Sequence, residues 1–234
     1  MRMIGLLLLS ALLGSQPARA QEIAGVSSTV LSRCAGKAGS DVRQGDPAFV
    51  TIALDGRPWM TIDRTQDVVG SQPISTTVTG TGWRQRRDGT TIHFRFTCAL
   101  DERGQAVLFH ASALLHDLGD RLPPAIIVDG AAAYPDRASL PRGVELQVQL
   151  IDPAQPPASR IVAEQVVRSG WLVPIPFALR VPRDAAIADR TLSVSARIVL
   201  AHQTLFELAE PRLVAAPELS RFLALSLARP RADR

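Results

Sequence analysis

Apolar and polar residues alternate strictly in several stretches of the chain, and each such stretch predicts a β-strand with one wet face. VELQVQL places Val144, Leu146, Val148 and Leu150 on one side and Glu145, Gln147 and Gln149 on the other. TLSVSARIVL does the same with Leu192, Val194, Ala196 and Ile198. TIHFRFTCAL alternates throughout, with Ile92, Phe94, Phe96, Cys98 and Leu100 on one face. FVTIAL (49–54), IVAEQVV (161–167) and TLFELAEPRLV (204–214) are shorter β-rich runs. Asp55-Gly56, Asp88-Gly89 and Arg103-Gly104 sit where tight turns join such strands, and His202-Gln203 marks another turn. Asp152, Pro153, Pro156 and Pro157 make a corner, because proline lacks the amide a ladder requires.

One segment departs from period two. Val26, Val30, Leu31 and Cys34 recur at helical spacing, which predicts a helix over 26–38. WLVPIPF predicts an edge strand, since Pro174 and Pro176 are tolerated only there or at a bulge. Trp171, Pro174, Pro176 and Phe177 are therefore the candidate partner-binding edge. The fold class that follows is mainly β: a C-terminal β-sandwich preceded by a small α+β domain, an N-terminal helix on an antiparallel meander.

The beginning of the chain changes the compartment. Arg2, the apolar run Ile4 to Gly14, and Ala18-Arg19-Ala20 read as a signal peptide over 1–20, cleaved between Ala20 and Gln21. That run is too short for a bilayer, which takes roughly 20 apolar residues. Gln21 stands where a lipoprotein has its acceptor cysteine, so the expectation is a periplasmic or secreted protein with no lipid anchor and no transmembrane helix. The remainder divides into 22–116, a Pro- and Gly-rich connector over 117–138, the sandwich over 139–216, and a tail over 217–234.

Charge excludes little but removes one class. The formal net charge is +4, with Lys37 the sole lysine, and no basic face recurs in the way nucleic-acid binding requires. The densest basic spot is Arg84-Gln85-Arg86-Arg87, read as a solvated hairpin end, with weak contact to an anionic membrane surface as the alternative. Cys34 and Cys98, an even pair in an exported chain, are expected to form a disulfide that staples helix to sheet. A metal site is the poorer reading, for no CxxC or HxxxH spacing occurs.

No catalytic constellation is legible. His93, His110, His116 and His202 are scattered, and no GxSxG elbow appears. Asp101 and Glu102 are adjacent and read as a turn rather than an acid–base pair. Gly80 and Gly82 read as close packing rather than a phosphate loop, because no helix signal follows them. Trp83 and Trp171 offer a carbohydrate platform, against which core packing is the stronger reading, and Trp59 is placed as a cap on the first sheet. The expectation is a non-enzyme without cofactor or metal.

Two resemblances bear on function. Gly80, Gly82, Trp83, Phe94, Phe96, Cys98, Asp101 and Gly104 resemble a strand block of small cysteine-containing exported proteobacterial modules, which have no assigned chemistry. Leu140-Pro141, Gly143 to Leu150, Asp152, Ile161 to Gln165, Pro174 to Phe177, Ala196 to Ile198 and Leu205-Phe206 resemble the YbaY/YscW-type envelope lipoprotein domain. That resemblance implies a small β-sandwich. Some of its members are pilotins, which help assemble a type III secretion ring in the outer membrane. It implies here a periplasmic accessory protein that engages another envelope protein through a sheet edge or apolar face. The alternatives are a passive structural or stress module and, third, a wall-acting hydrolase. The missing lipid anchor departs from the family's commonest device.

Overall fold

A computed structural model describes residues 18–45, 47–114, 125–135, 140–157, 160–168, 173–183 and 187–231. The described residues stack one α-helix and three sheets. Helix α1 (Ala18–Gly45) is followed by β1 (Phe49–Leu54), β2 (Met60–Val69), β3 (Gln72–Arg86), β4 (Thr91–Leu100) and β5 (Ala106–Ala113). These five strands form the first sheet. β3 is long enough to carry β1 and β2 end to end along one flank, while β4 and then β5 extend the other. The helix runs longer than its apolar spacing predicts, and it passes through Ala20 and Gln21. Residues 1–17 of the expected signal peptide lie outside the described residues.

The first sheet is buried on both faces where the layers overlap. Cys34 and Ala38 of the helix pack with Val78, Phe94, Phe96, Cys98, Leu100 and Phe109 on one side. Cys34 and Cys98 are joined in a disulfide, with both residues fully buried. Phe109 stacks on Phe96 at 5.5 Å between ring centroids. An added Cβ at Gly80 would lie 3.0 Å from the Phe96 ring and from Trp59 O, so the glycine admits close packing. Trp83 is half-buried and Trp59 is 69% exposed, so Trp59 caps nothing: the turn after Asp55-Gly56 leaves it pointing into solvent.

β6 (Ala125–Ala133), β7 (Glu145–Ile151), β8 (Ile161–Val167), β9 (Ile175–Pro182), β10 (Thr191–Leu200), β11 (Gln203–Glu207), β12 (Arg212–Ala215) and β13 (Leu223–Ser226) make the other two sheets. The outer sheet has the order β11-β10-β7-β8, with β12 also on β10. The middle sheet is β13-β6-β9. Leu146, Val148, Leu150, Leu192, Val194, Ala196 and Ile198 of the outer sheet meet Val128, Ile175, Phe177, Leu179, Leu223 and Leu225 of the middle one. This is the sandwich core, and its inward positions are those the alternation picked out.

One strand of the middle sheet, β6, lies in the stretch expected to be a connector, and another, β13, lies in the C-terminal tail, where LSRFLALSLA (219–228) is open to either a final strand or a short helix. From Val128 to Ala133 β6 is buried on both faces, so apart from Asp129 it carries small and apolar residues and lacks the alternation of a half-wet strand. β2 was also unread. Its apolar residues are sparse, and a bulge between Arg64 and Asp67 breaks its period.

The middle sheet contacts the first sheet through a small-residue layer. Ala131 and Ala133 of β6 and Phe222 and Ala224 lie against Val69, Ile74, Ala99 and Leu108. Gly70, in the two-residue β2–β3 turn, has φ +65° and would place a Cβ 2.9 Å from that of Ala133. No side chain fits there, which is why glycine occupies the turn. Four layers result, from helix to outer sheet.

Candidate functional site

The seam between the first sheet and the outer sheet opens into a groove. Two adjoining cavities of about 450 and 960 Å³ share Arg64, Thr65, Asp67 and Arg221. One wall is the outer flank of β2, and the other is β12 with the single 3-10 turn Ala216–Ser220. Phe222 and Leu223, which lead into β13, lie between them.

Local sequence explains both walls. The bulge sets Thr65 and Gln66 against one residue of β3, which turns Asp67 toward the seam, and Thr65 Oγ1 donates to Asp67 Oδ2. Arg212 reaches across, with Nη2 3.7 Å from Asp67 Oδ1 and Nη1 donating to Ala224 O at 2.6 Å. On the same wall as Arg212, the 3-10 turn starts at Ala216 and carries Pro217 in its first positions. Glu218 Oε2 accepts from Ala215 N at 3.2 Å, and Arg221 Nη1 lies 3.7 Å from Glu218 Oε1. Leu213 and Val68 stand on the rims, 67% and 50% exposed. The groove thus mixes both charge signs with apolar rims, as a surface for polypeptide does.

No histidine or cysteine lines it. Ser75 spends its hydroxyl on Asp101 O at 2.7 Å. Among the described residues no three His, Cys, Asp or Glu side chains gather to hold a metal ion. Among them also, no helix is long and apolar enough to cross a membrane.

A second polar cluster is closed between sheets. Asp129 of β6 is buried against the first sheet, and Arg95 Nη2 lies 2.5 Å from its Oδ2. Burial pushes the Asp129 carboxyl up from the ordinary aspartate value, against the opposing pull of Arg95 and Thr97. His110 pairs with Thr97 across β4 and β5, and burial, reinforced by Arg95, pushes its imidazole down. The cluster joins layers rather than facing a cleft.

The residues singled out by sequence are dispersed. Trp171 and His116 lie outside the described residues. Phe177 is fully buried in the sandwich core, so it is no part of an accessible edge: β9 turns it inward between Ile175 and Leu179, which are equally buried. Pro174 and Pro176 are half-buried. β9 does flank the middle sheet, paired among the described strands only with β6, but Gln165 Oε1 accepts from Ala178 N at 2.6 Å on its outer side. Arg84 and Arg86 stack on the buried Phe49 ring at 4.2 and 5.0 Å, so the basic run is drawn onto the fold rather than splayed into solvent. His93 is exposed, and His202 follows Ala201 in a turn with positive φ at both. The groove itself was missed, because its walls are 149 residues apart in the chain at Asp63 and Arg212 and only the bulge in β2 marks it locally.

The sandwich defines a class, an antiparallel β-domain carrying an extra parallel strand. Residues 123–220, less than half of the chain, match the family described as "Type III secretion system lipoprotein chaperone (YscW)". A solved structure, an alternative pilotin from the type II secretion system of Vibrio cholerae, is similar at 26% identity. That similarity covers 47% of this chain and 100% of that one, with a TM-score of 0.41. No curated protein matches the chain.

Proposed function

We propose that the protein is a non-enzymatic accessory factor of the cell envelope that binds a segment of another envelope protein, as a chaperone does. The YscW-like match over 123–220 carries this reading. The groove beside it supports the same reading, since it supplies two strand flanks, both charge signs and two exposed apolar rims without a nucleophile–base pair. In this reading the chain is exported through a signal peptide over 1–20. Residues 22–116 are the disulfide-stapled unit, and the sandwich begins at β6 rather than at residue 139.

Mild cross-linking in envelope extracts tests it, comparing the wild-type chain with Leu213→Glu. The expected result is one major envelope protein recovered with the wild type and lost with the rim variant. Its assembly into the outer membrane should also fall when the gene is deleted. Recovery of no partner, together with normal envelope assembly in the deletion strain, would overturn the proposal.

A further inference from the structure

The middle sheet has two flanks, and only one can take a strand. On β9, the Ala178 N–H points outward to Gln165 Oε1, so the residues of the same parity face outward too. Pro176 and Pro182 share that parity and have no N–H, which leaves the flank poor in donors. The other flank belongs to β6, and β13 occupies it, with Leu223, Ala224, Leu225 and Ser226 opposite Gly130 to Ala133.

β13 differs from the rest of the domain in three ways. It lies beyond residue 220, where the family match stops. It is the one parallel pairing among the described strands. Its outer flank carries no full strand: Arg212 donates to Ala224 O, and just beyond β13 Ala228 pairs with Glu207 in a single antiparallel bridge. On the face toward the first sheet, Ser226 Oγ donates to Val68 O at 3.0 Å and accepts from Gly70 N at 3.1 Å. Leu223, Leu225 and Leu227 project into the sandwich core and are at most 2% exposed. Ala224 and Ser226 project the other way, against the first sheet.

We propose that β13 stands in for a partner strand. The flank of β6 is the peptide-binding position of the YscW-like domain, filled in cis by the chain's own Leu-Ala-Leu-Ser-Leu segment. The partner segment it fits is an extended one with three leucine-like residues at alternate positions and small residues between them, running parallel to β6. This inference rests on the accessory-factor reading and names the partner's chemistry. Exchange of one such segment for another leaves the buried apolar surface unchanged. The resident strand holds its place through its tether, which supplies an effective concentration on the order of millimolar. The groove opens onto Phe222 and Leu223, at the start of β13, and provides the point of entry.

A labelled synthetic peptide of residues 221–228 is the probe, titrated against the full chain and two variants. Leu225→Asp expels β13 from the core, and Ser226→Ala only removes its latch to the β2–β3 turn. The expected result is weak binding to the wild type, about five- to a hundredfold tighter binding to Ser226→Ala, as loss of its two hydrogen bonds implies, and the tightest binding to Leu225→Asp. A peptide with its three leucines changed to serine should bind none of them. If Leu225→Asp is unfolded, restoration of its circular dichroism by the probe supports the proposal equally. Failure of the probe to bind either variant or to restore folding overturns it, as does dimerisation of Leu225→Asp by strand exchange in place of peptide binding. The probe reads only the strand position, so its outcome is independent of whether an envelope partner is recovered.

Discussion

Arg95 Nη2 lies 2.5 Å from Asp129 Oδ2, and this pair ties the disulfide-stapled sheet to the middle sheet. Asp129 is almost wholly buried while Arg95 keeps 30% of its side chain in solvent. The arginine therefore serves the carboxylate more than the reverse. Replacing it leaves a charge in a dry interface, and that is the costly direction.

Arg95→Ala is expected to destabilise the fold by about 3 kcal/mol, the lower end for a broken buried pair, because part of the guanidinium is already hydrated. Asp129→Asn should cost less, since no uncompensated anion remains. Urea unfolding of both variants and of the double variant measures the coupling. Equal losses from the two single variants would contradict the asymmetry.

His110 gives the interface a pH dependence of definite sign. In the unfolded chain it takes up its proton near 6.5, and in the fold burial and Arg95 hold that uptake to lower pH. Between those values the unfolded state binds more protons, so His110's contribution is complete above 6.5 and declines as pH falls through the window. Asp129 acts in the opposite sense. Its raised value lets the folded state keep a proton to higher pH, so its contribution grows as pH falls through that value. Unfolding midpoints at pH 7.5 and 5.5 should show a smaller acid loss in His110→Gln than in the wild type, and an unchanged loss would refute the assignment.

Gly70→Ala tests the close approach of the β2–β3 turn to β6. The turn requires φ +65°, and the new methyl group meets Ala133. A loss of about 1–3 kcal/mol follows from left-handed strain and overpacking together. Calorimetry should register a lower Tm, whereas Gly56→Ala, which meets nothing within 4 Å, should leave it close to the wild-type value.

Removing the disulfide frees a loop of 64 residues' separation. Cys34→Ser with Cys98→Ser should lower stability by about 2–4 kcal/mol. The effect should centre on α1, whose described packing partners lie on the first sheet. Hydrogen exchange that loosens the outer sheet as much as the helix would show that the staple acts on the whole stack instead.

The amino-acid sequence by itself determined the strands that have one wet face. β4, β7 and β10 follow from their alternation, and the inward set Leu146, Val148 and Leu150 is the set that is buried. Phe94, Phe96 and Cys98 are legible for the same reason. β6 was not, because a strand covered on both sides has no polar phase to betray its period, and β13 was legible only as either a strand or a short helix. Only the tertiary structure decided which flank of the middle sheet is closed by proline and which by the chain's own leucines. It alone brought Asp67 to Arg212 across a groove, because proximity between elements distant in the chain arises from layer packing, to which local pattern is blind.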